Sequence, residues 1–159
     1  MKKKIFSLIM VLILLIMTSN VFAAKAVNVT VNGVMVTFDQ SPIIVDGRTL
    51  VPIRAVAEQI GAEVRWNDST QTATIIHNRV GVVLQIGNII MTVRNLDSGV
   101  ERQVKLDVPP QVYNSRTLLP IRAIMEEFGC KVGWDNVSNT VLITTSAIPQ
   151  TQKTIVIGE

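Results

Sequence analysis

Alternation of apolar and polar positions with a period of two runs along most of this chain, and two short stretches of helical period interrupt it. Val27–Val31 and Val34–Phe38 alternate around Asn32-Gly33, a pair suited to a tight hairpin turn because both residues tolerate positive φ. Asp46-Gly47 predicts a second turn, between strands at 43–45 and 49–51. Pro52 then fits the first turn of a helix that carries Ile53, Val56 and Ile60 on one face and stops at Gly61. Pro120, Ile121, Ile124, Phe128 and Gly129 predict a second helix of the same kind. Each spans only about nine residues, so burial rather than propensity has to hold it. After each helix comes an alternating strand ending in tryptophan, a polar turn and a threonine-rich strand: 62–66, 67–71 and 72–76, then 130–134, 135–139 and 140–144. Between these units, Val80–Ile86 and Ile89–Val93 flank Gly87-Asn88, and 100–106 follows the turn Asn95-Leu96-Asp97-Ser98-Gly99, so the second unit has a longer hairpin arm. Beyond Thr145 the chain turns polar; Pro149 and Gln150–Gln152 read as a linker, and Ile155–Ile157 as a final strand or a frayed tail.

The two units are written in nearly the same words. The segment from Arg48 to Ile75 returns sixty-eight positions later as Arg116 to Ile143, with 13 of 28 aligned residues identical. Ordinary amino-acid usage would give roughly two. Arg48, Pro52, Arg54, Glu58, Gly61 and Trp66 reappear as Arg116, Pro120, Arg122, Glu126, Gly129 and Trp134. This is an internal repeat, and it divides the chain into 27–78 and 80–145. A unit of some sixty residues is marginal alone, so the pair is expected to share an extended antiparallel sheet and to unfold together. The fold class is α+β: antiparallel β-sheet wrapped on short α-helices, in two internal repeats.

The N-terminus changes how composition is read. Lys2, Lys3 and Lys4 precede an apolar run from Ile5 to Met17, and small residues follow at Ala23, Ala24 and Ala26. Thirteen helical residues rise only about 20 Å against a hydrocarbon core of about 30 Å, so residues 1–23 read as a cleaved secretory signal with no transmembrane segment left after cleavage. The mature start falls near Ala24 or Val27, and no cysteine stands there to take a lipid. Those three lysines account for the whole excess of 15 basic over 12 acidic residues, so no electrostatic footprint for nucleic acid remains. The lone Cys130 cannot form an internal disulfide and reads as a small buried hydrophobe.

The string from Asp46 through Gly47, Arg48, Thr49, Leu50, Val51, Pro52 and Ile53 to Arg54, followed by Glu58, Gly61, Ala62, Val64 and Trp66, resembles the copper amine oxidase N-terminal domain, or stalk domain, family. The resemblance covers 27–145 as two tandem copies, with 146–159 left as a tail. The second copy departs from it at Asn114-Ser115 and at Gly133. It implies an antiparallel sheet on a short helix, commonly attached to exported or surface proteins of bacteria. It also implies a non-catalytic appendage of the enzyme that gives the family its name.

Candidate chemistry is sparse. Copper amine oxidase catalysis requires three histidine ligands and a tyrosine that becomes the cofactor, whereas this chain has only His77 and Tyr113. No serine sits in a nucleophile elbow, and no glycine-rich phosphate loop or metal-ligand cluster occurs. Cys130 with His77 lacks the doubling seen in the motif, and carboxylates drawn from Glu126, Glu127 and Asp135 are explained by solvated helix and turn positions. Neither enzymatic activity nor a cofactor is expected. Arg54 with Glu58, and Arg122 with Glu126, read as scaffold in which the guanidinium holds strand carbonyls or the glutamate where sheet meets helix; Arg48 and Arg116 read alike. The tryptophans fit either a cover on the helix or a platform for sugar rings, and alternation places Trp66 on the face of Val64. Two functions remain open. One is a secreted or cell-surface module that contacts cell-wall polymer, a surface protein or its own kind. The other is an accessory or inhibitory subunit of an exported enzyme. The Asn95–Gly99 turn is the expected partner contact, because loops on a rigid scaffold carry recognition.

Overall fold

A computed structural model describes residues 26–146; the segment expected to be a signal and the segment expected to be a tail, including the strand expected at 155–157, lie outside the described residues. The chain runs through β1 (Asn28–Val31), β2 (Val34–Met35), β3 (Ile43–Val45), β4 (Arg48–Pro52), α1 (Ile53–Gln59), β5 (Glu63–Asn67) and β6 (Thr72–His77). It continues with β7 (Val80–Gln85), β8 (Ile90–Asn95), β9 (Glu101–Lys105), β10 (Gln111–Tyr113), β11 (Arg116–Pro120), α2 (Ile121–Glu127), β12 (Lys131–Asp135) and β13 (Thr140–Thr144). The described protein is mostly β, with two short helices and three sheets that are mostly antiparallel.

Turn chemistry sets these boundaries. Asn32-Gly33 and Asp46-Gly47 adopt positive φ at both positions, the hairpin geometry that their residue types favour. Asn114-Ser115 does the same without glycine, at φ 46° and 61°, so the turn survives the departure from Asp-Gly. Both helices end alike. Gly61 at φ 69° lets the Ala62 N–H reach the Ala57 carbonyl at 2.8 Å, while its own N–H bonds to Glu58 at 3.1 Å. Gly129, Cys130, Met125 and Glu126 repeat this paired closure, which satisfies carbonyls that a helix end leaves open. Neither helix has a side-chain N-cap; they are held through Ile53, Val56 and Ala57, and through Ile121, Ile124 and Met125, all buried.

The central sheet has the order β10-β11-β4-β3. Its inner ladder pairs Leu118 with Pro52, Leu119 with Val51, and Pro120 with Leu50. These six residues are one another's sequence equivalents, so the ladder is symmetric about the Val51–Leu119 pair. Val51 and Leu119 face the main core under both helices, whereas Leu50 and Leu118 face a small separate cluster with Val108. All four are fully buried.

The two flanking sheets also mix the halves of the chain. One is the meander β5-β6-β7-β8-β9, and the other has the order β12-β13-β1-β2. In the latter, β1 runs parallel to β13, from Asn28 against Thr140 to Val31 against Ile143. Asn32 seals that junction by accepting the Thr145 N–H at 3.0 Å and donating to the Thr145 hydroxyl at 2.9 Å. The halves therefore share three sheets rather than one extended sheet. The physical reason lies at Pro52 and Pro120, where each inner strand turns straight into a helix and cannot extend the central sheet further.

Because every sheet draws strands from both halves, one cooperative unfolding transition is expected by far-UV circular dichroism and by tryptophan fluorescence. Leu119→Ala is expected to destabilise by about 2–5 kcal/mol, the usual range for a buried leucine, as read by urea denaturation. Two resolved transitions, or a folded fragment ending at Asn78, would contradict this architecture.

Candidate functional site

Two grooves open where the central sheet meets a helix and a tryptophan-bearing edge strand. The larger, of about 700 Å³, lies between Arg116 and Thr117 of β11, Arg54 and Glu58 of α1, and Arg65 and Trp66 of β5. Val64 and Trp66 share a face of β5; both are half-buried against the main core, and both line the groove. The Trp66 indole N–H donates to Asp68 Oδ1 in the following turn, which orients the ring. That turn is itself tied by Asn67 Oδ1, which accepts the N–H groups of Ser69 and Thr70 at 3.0 and 3.2 Å. Trp66 thus covers core and borders open space together.

The second groove, of about 250 Å³, is built from the same positions of the opposite halves. Arg48 and Thr49 of β4 stand in it where Arg116 and Thr117 stand in the first, Arg122 replaces Arg54, and Trp134 replaces Trp66. The Trp134 indole donates to Asn136 Oδ1 at 2.7 Å. Gly133 takes the place of Arg65. Each groove is therefore composite: strand from one half, helix and hairpin from the other.

Reciprocal ion pairs brace the composite walls. Arg116 Nε donates to Asp39 Oδ2 at 2.7 Å, and Arg48 Nε donates to Asp107 Oδ2 at 2.6 Å. The aspartates stand sixty-eight positions apart, as the arginines do, and each pair crosses between the halves. The Arg116 hydrogen bond holds the Asp39 carboxyl below its ordinary range, against a weaker opposing effect of desolvation. Sequence reasoning missed these aspartates. The signal that would have found them is the same offset, carried upstream of Arg48 into segments without secondary structure. Arg48 and Arg116 also approach the carbonyls of Gly47 and Ser115, each at 3.4 Å.

The two helix pairs differ from each other. Arg122 Nε stands 4.0 Å from Glu126 on an exposed face. Arg54 and Glu58 are exposed, and among the described residues the side chain of neither has an ion pair or hydrogen bond. They do not hold strand carbonyls, because their positions on α1 point away from the core that Ile53, Val56 and Ala57 fill. Beside them, Arg65 is occupied by a two-point bond to Glu63 at 2.6 and 3.1 Å, which lowers the Glu63 pKa and raises that of Arg65. Pro52 and Pro120 end the inner strands, and Gly61 and Gly129 end the helices.

The Asn95–Gly99 turn lies apart from both grooves at the tip of the β8–β9 arm. Asn95 Oδ1 accepts the N–H groups of Asp97 and Ser98 at 2.9 and 3.0 Å, Gly99 donates to the Asn95 carbonyl at 2.9 Å, and Arg79 pairs with Asp97. Leu96 is about half exposed, and Val100 beside it more so. The remaining reactive groups are engaged in structure. His77 stacks edge-on against Phe128 at 5.5 Å, and burial lowers its pKa despite a bond with the Gly61 backbone. Cys130 is buried, which raises its thiol pKa. Glu127 pairs with Arg102, and Asp135 accepts the Ser138 hydroxyl at 2.6 Å and the Val137 N–H at 2.8 Å. Among the described residues, no three of His, Cys, Asp and Glu are grouped so as to hold a metal ion.

Comparison with known proteins gives one result that bears on these grooves. The family profile described as copper amine oxidase N-terminal domain matches residues 30–147 as one domain, which includes both grooves and the arm. No curated protein matches the chain.

The brace between the halves is expected to weaken in acid. A carboxyl with a depressed folded pKa contributes stability above its unfolded value, here about 3.8, and loses it as pH falls through the folded value. Asp39→Asn is expected to melt below wild type at neutral pH, with the gap closing below about pH 4, the ordinary aspartate range. Melting curves from pH 2 to 7 check this; a gap that persists at pH 2 would show that Asp39 acts otherwise than through its charge.

Proposed function

Because the chain belongs to the copper amine oxidase N-terminal domain family, we propose that it is an exported, non-catalytic binding module of the bacterial cell envelope that holds a wall polymer in its grooves. The observation that carries this reading is the paired construction of the grooves: each presents a hydrogen-bonded tryptophan and an equivalent pair of arginines, Arg54 with Arg116 and Arg122 with Arg48. Two equivalent sites on one module suit a ligand that repeats, since a second contact on the same polymer is made at high effective concentration. Export is supported by the basic and apolar pattern of Lys2–Met17. Among the described residues no helix is long and apolar enough to cross a membrane. On this reading the matched domain consists of two tandem copies, which the sixty-eight-residue offset in sequence supports.

A second reading is favoured by the exposed Leu96 and Val100 at the arm tip, which fit a protein partner such as an exported enzyme that this chain accompanies. Sedimentation separates the two. The mature protein is expected to pellet with cell walls stripped of protein, and shortening Asn95–Gly99 to a two-residue turn is expected to leave pelleting unchanged. Failure to pellet, together with one stoichiometric envelope protein that co-purifies only while the loop is intact, would replace the polymer reading with the accessory-subunit reading.

A further inference from the structure

We infer that the two grooves are unequal, and that the Trp66 groove alone is the primary site for an anionic saccharide unit, one that carries carboxylate or phosphate on a sugar ring. This rests on the polymer-binding reading above and adds the class of ligand and its place. Size separates the grooves first. Small-molecule sites occupy roughly 300–1,000 Å³; the Trp66 groove, at about 700 Å³, falls inside that range and the Trp134 groove, at about 250 Å³, below it.

The chemistry of the lining points the same way. Three guanidinium groups, Arg54, Arg65 and Arg116, border the larger groove against two carboxylates, Asp39 and Glu58. Asp39 is committed to Arg116, and Arg65 to Glu63. That leaves Arg54 as a cation and Glu58 as an acceptor with no protein partner among the described residues, one helical turn apart on α1. A saccharide with an acidic substituent satisfies all three features: its ring face lies on Trp66, its anion meets Arg54 in charge-assisted hydrogen bonds, and its hydroxyls donate to Glu58. In the Trp134 groove, Arg122 already stands at the edge of ion-pair distance from Glu126, and Gly133 removes the third guanidinium. An extended peptide is the competing occupant, since β5 is a sheet edge; but a backbone strand calls on neither the free guanidinium nor the free carboxylate.

Calorimetric titration of the mature protein with polygalacturonate, phosphomannan and neutral chitohexaose tests this. Binding to either anionic polymer, weakened by salt and at least tenfold tighter than to chitohexaose, is expected, and the arm that binds identifies carboxylate or phosphate as the source. Arg54→Ala is expected to weaken that binding about tenfold or more, the scale of one lost charge-assisted bond, and Arg54→Glu further. Lys105→Ala, an exposed charge on β9 away from both grooves, is expected to change nothing. Because Arg54 is exposed and bonded to no other described residue, its variants should melt as wild type does. Equal affinity for chitohexaose, unaltered in Arg54→Ala, overturns the anionic ligand class while leaving wall pelleting intact. No affinity for any of the three polymers, with walls still pelleting the protein, overturns the saccharide assignment in favour of a peptide in the groove. Loss of binding in Arg122→Ala with Arg54→Ala unaffected reverses the ranking of the grooves.

Discussion

The pairing of β4 with β11 is the constraint on which the rest of the structure depends. Its register, Val51 opposite Leu119 with Leu50 and Leu118 in the next positions, sets two near-identical segments against each other in antiparallel sense. A register slip of one residue would turn Val51 and Leu119 away from the helices and towards the small cluster around Val108, leaving the main core unfilled beneath them. With that ladder fixed, Pro52 and Pro120 at its ends lead directly into α1 and α2. Each helix then comes to rest beside the arginine strand of the other half, which is why both grooves are composite and why Arg48 meets Asp107 while Arg116 meets Asp39.

Local features were legible in the sequence because local chemistry determines them. Asn32-Gly33 and Asp46-Gly47 specify their turns through positive φ, and Gly61 and Gly129 close their helices the same way. The apolar faces of α1 and α2 follow from periodicity, although Ile60 proved only partly buried and Ala57 and Met125 took its share of the core. What sequence could not yield was partnership between distant strands. Nothing in Val29 or Val141 states that β1 will lie parallel to β13, and alternation alone is equally consistent with one broad sheet or three.

The candidate site shows the same division. Trp66, Trp134 and the four doubled arginines were visible as repeated letters, but their roles were not. Spacing of four suggested that Arg54 and Glu58 work together, whereas the structure leaves both open to solvent and gives the bridging task to Arg48 and Arg116. The partner aspartates sit in connecting segments with no periodicity to mark them. Single exposed pairs of this kind contribute little energy. Their reciprocal placement matters for orientation: it holds the arginine strand of one half against a connecting segment of the other.

The parallel seam between β1 and β13 also fixes an order of events. A chain that emerges from its N-terminus presents β1 first, yet the strand that completes its sheet comes last, and Asn32 meets Thr145 only after 113 positions have passed. The meander from β5 to β9 needs no such wait, since every neighbour follows within a hairpin. Contacts of long sequence separation form late because loop closure has to precede them. During synthesis, the first hairpin therefore stays unpaired on its β13 side until that strand arrives. Its own outer edge, with Val34 and Met35 more than half exposed, stays unpaired even afterwards among the described strands.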